Sequence, residues 1–161
     1  MNKNFNEEQL YQKYFNVVYK ICFLYIKEQT ATYDMVQETF EKMIKYKPKF
    51  ETEEKAKAWL IVTASNLCKT HLNKWWNKKR VPYEPEMENI TEQSFENIGL
   101  KEMIDKMEYK YSVLLFLYYY EGYKIREIAE MLKEKESTLK ARLVKARKIL
   151  KLELEALGYE N

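Results

Sequence analysis

Lys140, Arg142, Lys145, Arg147, Lys148 and Lys151 fall in one stretch of a 161-residue chain, and no acidic residue occurs from Thr138 to Lys151. Charges of one sign at that density repel one another unless a polyanion is near, and a phosphate backbone supplies one. A second stretch shares the bias. Between Lys55 and Arg80 there is no Asp or Glu, and Lys69, Lys74, Lys78, Lys79 and Arg80 are interleaved with His71, Asn73, Trp75 and Trp76. Rings on which unpaired bases stack, mixed with lysines that neutralise phosphates, suit single-stranded nucleic acid. The plainer alternative for both stretches is a solvated basic face on a structural helix. Catalytic chemistry has no comparable support. The one histidine, His71, sits among basic residues as a surface or DNA-facing side chain, and no Gly-rich phosphate loop or metal-ligand cluster is present in the sequence. The expectation is a protein that is not an enzyme and needs neither cofactor nor metal.

The elements that must position these side chains are helices. Ile125, Ile128, Ala129 and Leu132 recur at helical spacing. Lys133-Glu134-Lys135-Glu136 interrupts them, and Leu139, Leu143, Ala146 and Leu150 resume the pattern. Two short amphipathic helices across a tight polar break predict a helix-turn-helix, whose second helix can lie in a DNA major groove. Upstream, residues 5–28 predict a helix with Leu10, Tyr14, Val17, Ile21 and Leu24 on one face. A second helix is expected from a cap at Thr30 or Thr32 to about Tyr46, ended by Pro48. It would bury Val36, Phe40, Met43 and Ile44. Thr52 is the candidate cap of a third, with Ala56, Trp59, Leu60, Thr63 and Leu67 at helical spacing. Ile98, Leu100, Ile104 and Met107 begin another. Tyr111–Tyr120 has strand-like aromatic content but no partner strand, so it reads as helix with Ser112 as candidate cap.

Composition agrees with an all-α chain. Gly and Pro number only 3 each. The net charge of +3 hides a pattern: residues 1–80 carry +6, residues 81–110 carry −5 and residues 111–161 carry +2. Pro82, Pro85 and five glutamates from Glu84 to Glu96 make an acidic linker. The expected architecture is two small helical domains, 1–80 and 98–161, joined by that linker at 81–97, with the helix-turn-helix in the second. Cys22 and Cys68 each sit on an apolar helical pattern and read as reduced core residues. The start of the chain leads straight into polar sequence, and no apolar run reaches the roughly 18 residues of a membrane span. A cytoplasmic protein without membrane insertion is expected.

These motifs resemble a known family. Glu127-Ile128-Ala129-Glu130, then Thr138, Lys140, Arg142-Leu143, Ala146-Arg147-Lys148 and Leu150, resemble the C-terminal DNA-binding region of bacterial sigma factors of the sigma-70 family, in the short extracytoplasmic-function (ECF) type. Asp34-Met35-Val36-Gln37-Glu38-Thr39-Phe40 resembles that family's polymerase-binding helix. Ala58-Trp59-Leu60, with Ala64, Asn66 and Leu67, resembles its promoter-melting helix. The motifs stand in the family's order and cover nearly the whole chain.

The resemblance implies a dissociable specificity subunit whose partners are core RNA polymerase and promoter DNA. Region 2, at 1–80, would hold the polymerase through Asp34, Gln37, Glu38 and Glu41. It would open the −10 element with Phe50, Lys55, Asn66, Lys69, Asn73, Lys74 and Lys78. Trp59 fits core packing better than a wedge at the fork. Region 4, at 98–161, would read the −35 element with Glu136, Ser137, Thr138, Lys140 and Arg142, while Lys145, Arg147 and Lys148 contact phosphates. The acidic linker would thread the channel later used by RNA. ECF proteins commonly have an anti-sigma factor, and nothing in the sequence identifies one. This chain departs from the family at the turn, where Lys133 and Glu134 replace the usual Gly and apolar residue. Lys135 replaces a common Ser cap, for which Ser137 is the candidate substitute. The alternative function is a helix-turn-helix regulator that acts without being a polymerase subunit. It would leave the Asp34–Phe40 and Trp59–Arg80 features unexplained.

Overall fold

The computed structural model describes residues 5–79, 99–156 and 158, and for 75–79 the backbone only. The acidic linker expected over 81–97 lies outside the described residues, as do Ile98, Arg80 and the side chains of Trp75, Trp76, Lys78 and Lys79. Described residues in secondary structure are all helical, and the chain divides into two compact units, Met1–Tyr83 and Glu84–Asn161.

The first unit is three helices: α1 (Glu7–Ile26), α2 (Gln29–Tyr46) and α3 (Glu53–Lys79), each packed on the other two. Asn6 starts α1 by accepting the Glu8 amide at 2.9 Å. The buried stripe of α1 is Leu10, Tyr14, Val18, Ile21, Cys22 and Tyr25, so Val18 takes the buried place expected for Val17, which is only half-buried. Neither Thr30 nor Thr32 caps α2. The Glu28 carboxylate does, accepting the Thr30 and Ala31 amides at 2.9 and 2.7 Å, and these backbone bonds hold its pKa below the usual carboxylate value. Thr32 is instead buried, its hydroxyl turned back onto the Glu28 carbonyl at 2.6 Å.

Val36, Phe40 and Met43 are buried as expected, but Ile44 is 53% exposed. It lies one residue past Met43, which takes the buried place at that turn. The helix ends at Lys47, which takes the left-handed conformation at φ 46° ahead of Pro48. Thr52 does cap α3, its hydroxyl accepting the Lys55 amide at 3.1 Å. Ala56, Leu60, Ile61, Ala64 and Cys68 form the inner face of α3, with Ser65 also buried. Trp59, Thr63 and Leu67 sit at the edge of that face and are only half-buried. Large buried side chains such as Leu60 carry this packing, and truncating one to alanine costs about 2–5 kcal/mol. Cys22 and Cys68 are free and buried, and contact with Cys22 together with burial pushes the Cys68 thiol up, the reverse of an activated cysteine.

The second unit opens with α4 (Leu100–Lys106) and α5 (Tyr109–Leu115). Ile104 and Met107 are buried, whereas Leu100 is exposed. Ser112 is not a cap: α5 starts after Glu108, and Ser112 is buried within the helix. The helix widens into one π-turn, Phe116–Tyr120, closed by the Glu121 amide on the Phe116 carbonyl at 3.1 Å. That extra residue per turn carries Tyr119 and Tyr120 outward while Phe116 and Leu117 stay inside. Gly122, at φ 75°, makes the reversal into α6 (Ile125–Leu132), and α7 (Glu136–Ala156) follows. Leu139, Leu143, Ala146 and Leu150 are buried, as are Ile128 and Leu132, so the expected helix-turn-helix core is present. Ser137 lies in the first turn of α7 rather than at its cap.

Candidate nucleic-acid interface

In the second unit the turn decides which side chains of α7 are engaged within the protein. Lys133 occupies the left-handed position at φ 55° that the family usually gives to Gly. Its amide and that of Glu134 return to the Ala129 carbonyl, the latter at 3.0 Å, which satisfies the open end of α6. Glu134, standing where an apolar residue is usual, reaches across to α7. Its two oxygens accept both terminal nitrogens of Arg142 at 2.6 and 3.1 Å. Arg142 is 19% exposed and Glu134 31%. Such a two-pronged pair fixes a guanidinium firmly. In the chain without DNA, the guanidinium expected to read a base is engaged with Glu134.

Glu136, Ser137, Thr138 and Lys140 are exposed at the start of α7, with Glu136 and Lys140 paired at 3.5 Å. Lys145, Arg147 and Lys148 are exposed further along. Arg147 donates its Nε hydrogen to the Tyr119 hydroxyl at 2.5 Å, and its guanidinium lies 5.6 and 6.0 Å from the ring centroids of Tyr119 and Tyr118. The π-turn thereby supplies a shelf for this arginine. Lys145 Nζ lies 5.9 Å from the Tyr111 ring. Two outward residues escaped the sequence reading, Ala141 and Val144, the latter among the most exposed apolar side chains of the unit. Their spacing from Ser137 and Lys148, three or four residues, was the available signal; they were passed over because they carry no charge.

In the first unit, Lys55, Trp59, Asn66, Thr70 and Asn73 recur along one face of α3. Asn66 is exposed and lines an open groove with Trp59, Thr63, Leu67 and Thr70 from α3 and Lys42 and Tyr46 from α2. The groove is open to solvent and holds about 370 Å³. Trp59 is thus neither pure core nor a free wedge: one edge meets Phe50, centroids 5.9 Å apart, and the rest walls the groove. Phe50 itself is buried at 8% exposure and backs Trp59. Lys55 is exposed and paired with Glu51 at 2.6 Å, an ion pair that lowers the Glu51 pKa. Asn73 and Lys74 are exposed beyond the groove, Lys69 is half-buried, and the Lys78 side chain lies outside the described residues. Lys42, Tyr46, Thr63 and Thr70 were not anticipated. On α2, Asp34, Gln37, Glu38 and Glu41 are all exposed and share one side of the helix. Among the described residues no cluster of ligating side chains could hold a metal, and no helix is long and apolar enough to cross a membrane.

Among the described residues the chain is two helical units, one with an open groove that includes Asn66, Trp59 and Lys42, the other with a basic-faced helix-turn-helix. The sequence matches the families described as Sigma-70 region 2, over residues 10–77, and Sigma-70, region 4, over residues 99–150. It is 29% identical over 139 residues to the RNA polymerase sigma factor SigV of Bacillus subtilis (strain 168), covering 84% of this chain and 83% of that one. It is 25% identical over 153 residues to the ECF RNA polymerase sigma factor SigM of the same strain, covering 89% and 92%. In fold it is similar to the sigma factor RpoE solved with the anti-sigma factor NepR from Bartonella quintana, with a TM-score of 0.71 at 17% identity over 92% of this chain and 96% of that one. The chain belongs to the sigma-70 family as an ECF-type sigma factor, a polymerase-binding subunit that directs transcription initiation.

Proposed function

We propose that the two units divide promoter recognition. The first would bind core RNA polymerase through Asp34, Gln37, Glu38 and Glu41, and would open the −10 element at the groove of Asn66 and Trp59. A base leaving the stack needs a pocket and hydrogen bonds to its exposed edge. The groove offers Asn66 with hydroxyls from Thr63 and Thr70, and Lys69, Asn73, Lys74 and Lys78 continue toward the phosphates. The second unit would read the −35 element with Ser137, Thr138 and Lys140, joined by Ala141 and Val144, whose apolar groups suit a thymine methyl. Glu136 either accepts from cytosine or favours its own helix N-terminus. Lys145, Arg147 and Lys148 are the phosphate contacts. The observation that carries this reading is the placement of Asn66 in an open groove, on a helix face that runs on into exposed Asn73.

In this reading the chain is not itself an enzyme; it binds and positions DNA, and phosphodiester chemistry belongs to the polymerase. It acts in the cytoplasm, and an anti-sigma factor, such as the one that accompanies RpoE in its complex, is the expected regulator. Reversing Asp34→Lys and Glu38→Lys together tests the docking face. Loss of binding to core polymerase with helical content retained supports it; full binding by the reversed protein would sink it.

A further inference from the structure

One surface of the first unit has no part in the scheme above. Tyr11, Phe15, Tyr19 and Phe23 stand one turn apart along α1, and none of the four is fully buried. Successive ring centroids are 5.5, 6.2 and 6.2 Å apart. The row continues sideways onto α2, where Tyr33 lies 5.2 Å from Tyr19 and Phe40 lies 4.7 Å from Tyr11. Tyr33 is 42% exposed, and exposed Ile44 follows on the same side of α2. A run of partly exposed rings in mutual contact is a connected apolar patch, and patches of that kind mark sites of interaction.

We infer that this aromatic row is the apolar half of the polymerase-docking surface, and that its occupant is a helix of core RNA polymerase bearing apolar residues one turn apart with lysines or arginines along one border. The inference rests on the reading of the α2 acidic face as a docking face. The period argues for a helical occupant: side chains four residues apart form the ridge that packs into the groove of another helix, and the ring spacing is close to the helical pitch of roughly 5.4 Å. Twelve residues separate Tyr11 from Phe23, so the row spans about 18 Å at roughly 1.5 Å per residue, enough for three turns of a partner. Continuity argues for the polymerase, because Tyr33 precedes Asp34 directly and Ile44 lies one turn beyond Glu41. Charge sets the orientation. The α2 border carries Asp34, Glu38 and Glu41, whereas the far border carries Gln12, Asn16 and Lys20, so the basic margin of the partner lies over α2.

The test uses the full chain and core RNA polymerase. Phe15→Gln with Tyr19→Gln, and separately Tyr33→Gln, keep helix-forming residues on the surface. The double variant is expected to bind core polymerase about tenfold or more weakly, as loss of buried aromatic anchors does, with helical content unchanged. Unaltered affinity in both variants overturns the inference. Photo-crosslinking guards against a double variant that fails to fold. Benzoylphenylalanine in place of Phe23, in an otherwise unaltered chain, is expected to crosslink to a helical segment of a core subunit. Crosslinks instead to DNA, to an anti-sigma factor or to the C-terminal unit overturn the assignment of the occupant. The charge-reversed Asp34→Lys, Glu38→Lys protein separates the two ideas. If it loses core binding while the ring variants keep it, the aromatic row is dismissed and the acidic face stands. If it keeps binding while the ring variants lose it, the acidic face is dismissed and the row stands.

Discussion

The ion pair between Glu134 and Arg142 makes a prediction opposite to the one the sequence suggests. As a base reader, Arg142 would contribute specificity and little stability; as a brace of the turn it contributes stability and little specificity. The two-pronged contact, at 2.6 and 3.1 Å, joins the residue after the turn to the second turn of α7. Both groups are about a fifth to a third exposed, so solvent screens part of the interaction. Exposed pairs are worth roughly 0.2–1 kcal/mol and well-placed charged hydrogen bonds about 1.5–3. A value of about 1–2 kcal/mol lies between them and corresponds to a change of roughly 5–30-fold in a local opening equilibrium. Native-state amide exchange in the full chain reads this equilibrium without requiring the two units to unfold together. Arg142→Ala and Glu134→Ala should each speed exchange of the buried α7 amides near Leu139 and Leu143 by about that factor. The double variant should add little to either, because both remove one interaction. Binding to −35 variants should keep its pattern of base preference. Unchanged exchange in Arg142→Ala, with relaxed preference at one base pair, would refute the brace and restore the reader.

Lys133→Gly should stabilise the second unit by up to about 1 kcal/mol, since glycine takes the left-handed conformation without the steric cost that lysine bears; slower exchange at Ala129 and Glu130 checks it. Tyr119→Phe should free Arg147 and weaken binding to every −35 sequence alike, which a salt series on several duplexes would show. Asn66→Ala should reduce permanganate reactivity in the −10 region more than it reduces initial promoter binding; equal effects on both would remove Asn66 from the melting groove. Glu28 has a depressed pKa in the folded chain, so its stabilisation is complete above its ordinary range and is lost as pH falls through the folded value. Glu28→Gln should therefore flatten the acid limb of the melting curve while the unaltered protein keeps its slope.

Legibility followed the strength of the periodic signal. The stripe Leu139, Leu143, Ala146, Leu150 against Ile128 and Leu132 was readable because four apolar residues recur among charges, and each is buried. The exposure of Asp34, Gln37, Glu38 and Glu41 was equally plain. The caps were not. Glu28 outcompeted Thr30 and Thr32 because its longer side chain reaches two amides at once. Ile44 looked like core because its spacing from Phe40 is helical, yet the neighbouring Met43 takes the buried place and leaves Ile44 53% exposed. The pairing of Arg142 with Glu134 was not legible, because the two lie eight residues apart across a turn. The groove of Trp59 and Asn66 draws Lys42 and Tyr46 from another helix, a pairing set by tertiary packing alone. The π-turn, which brings Tyr119 to Arg147, has no distinct sequence pattern.

The central claim is most directly tested by transcription from a promoter library with purified core RNA polymerase, with and without the full chain. The account predicts transcripts that start only when both are present, from templates sharing one −35 and one −10 element, and no stable binding to those templates by the chain alone. Tight sequence-specific binding to duplex DNA without core polymerase, together with no initiation from any template, would contradict it and leave an ordinary helix-turn-helix regulator in its place.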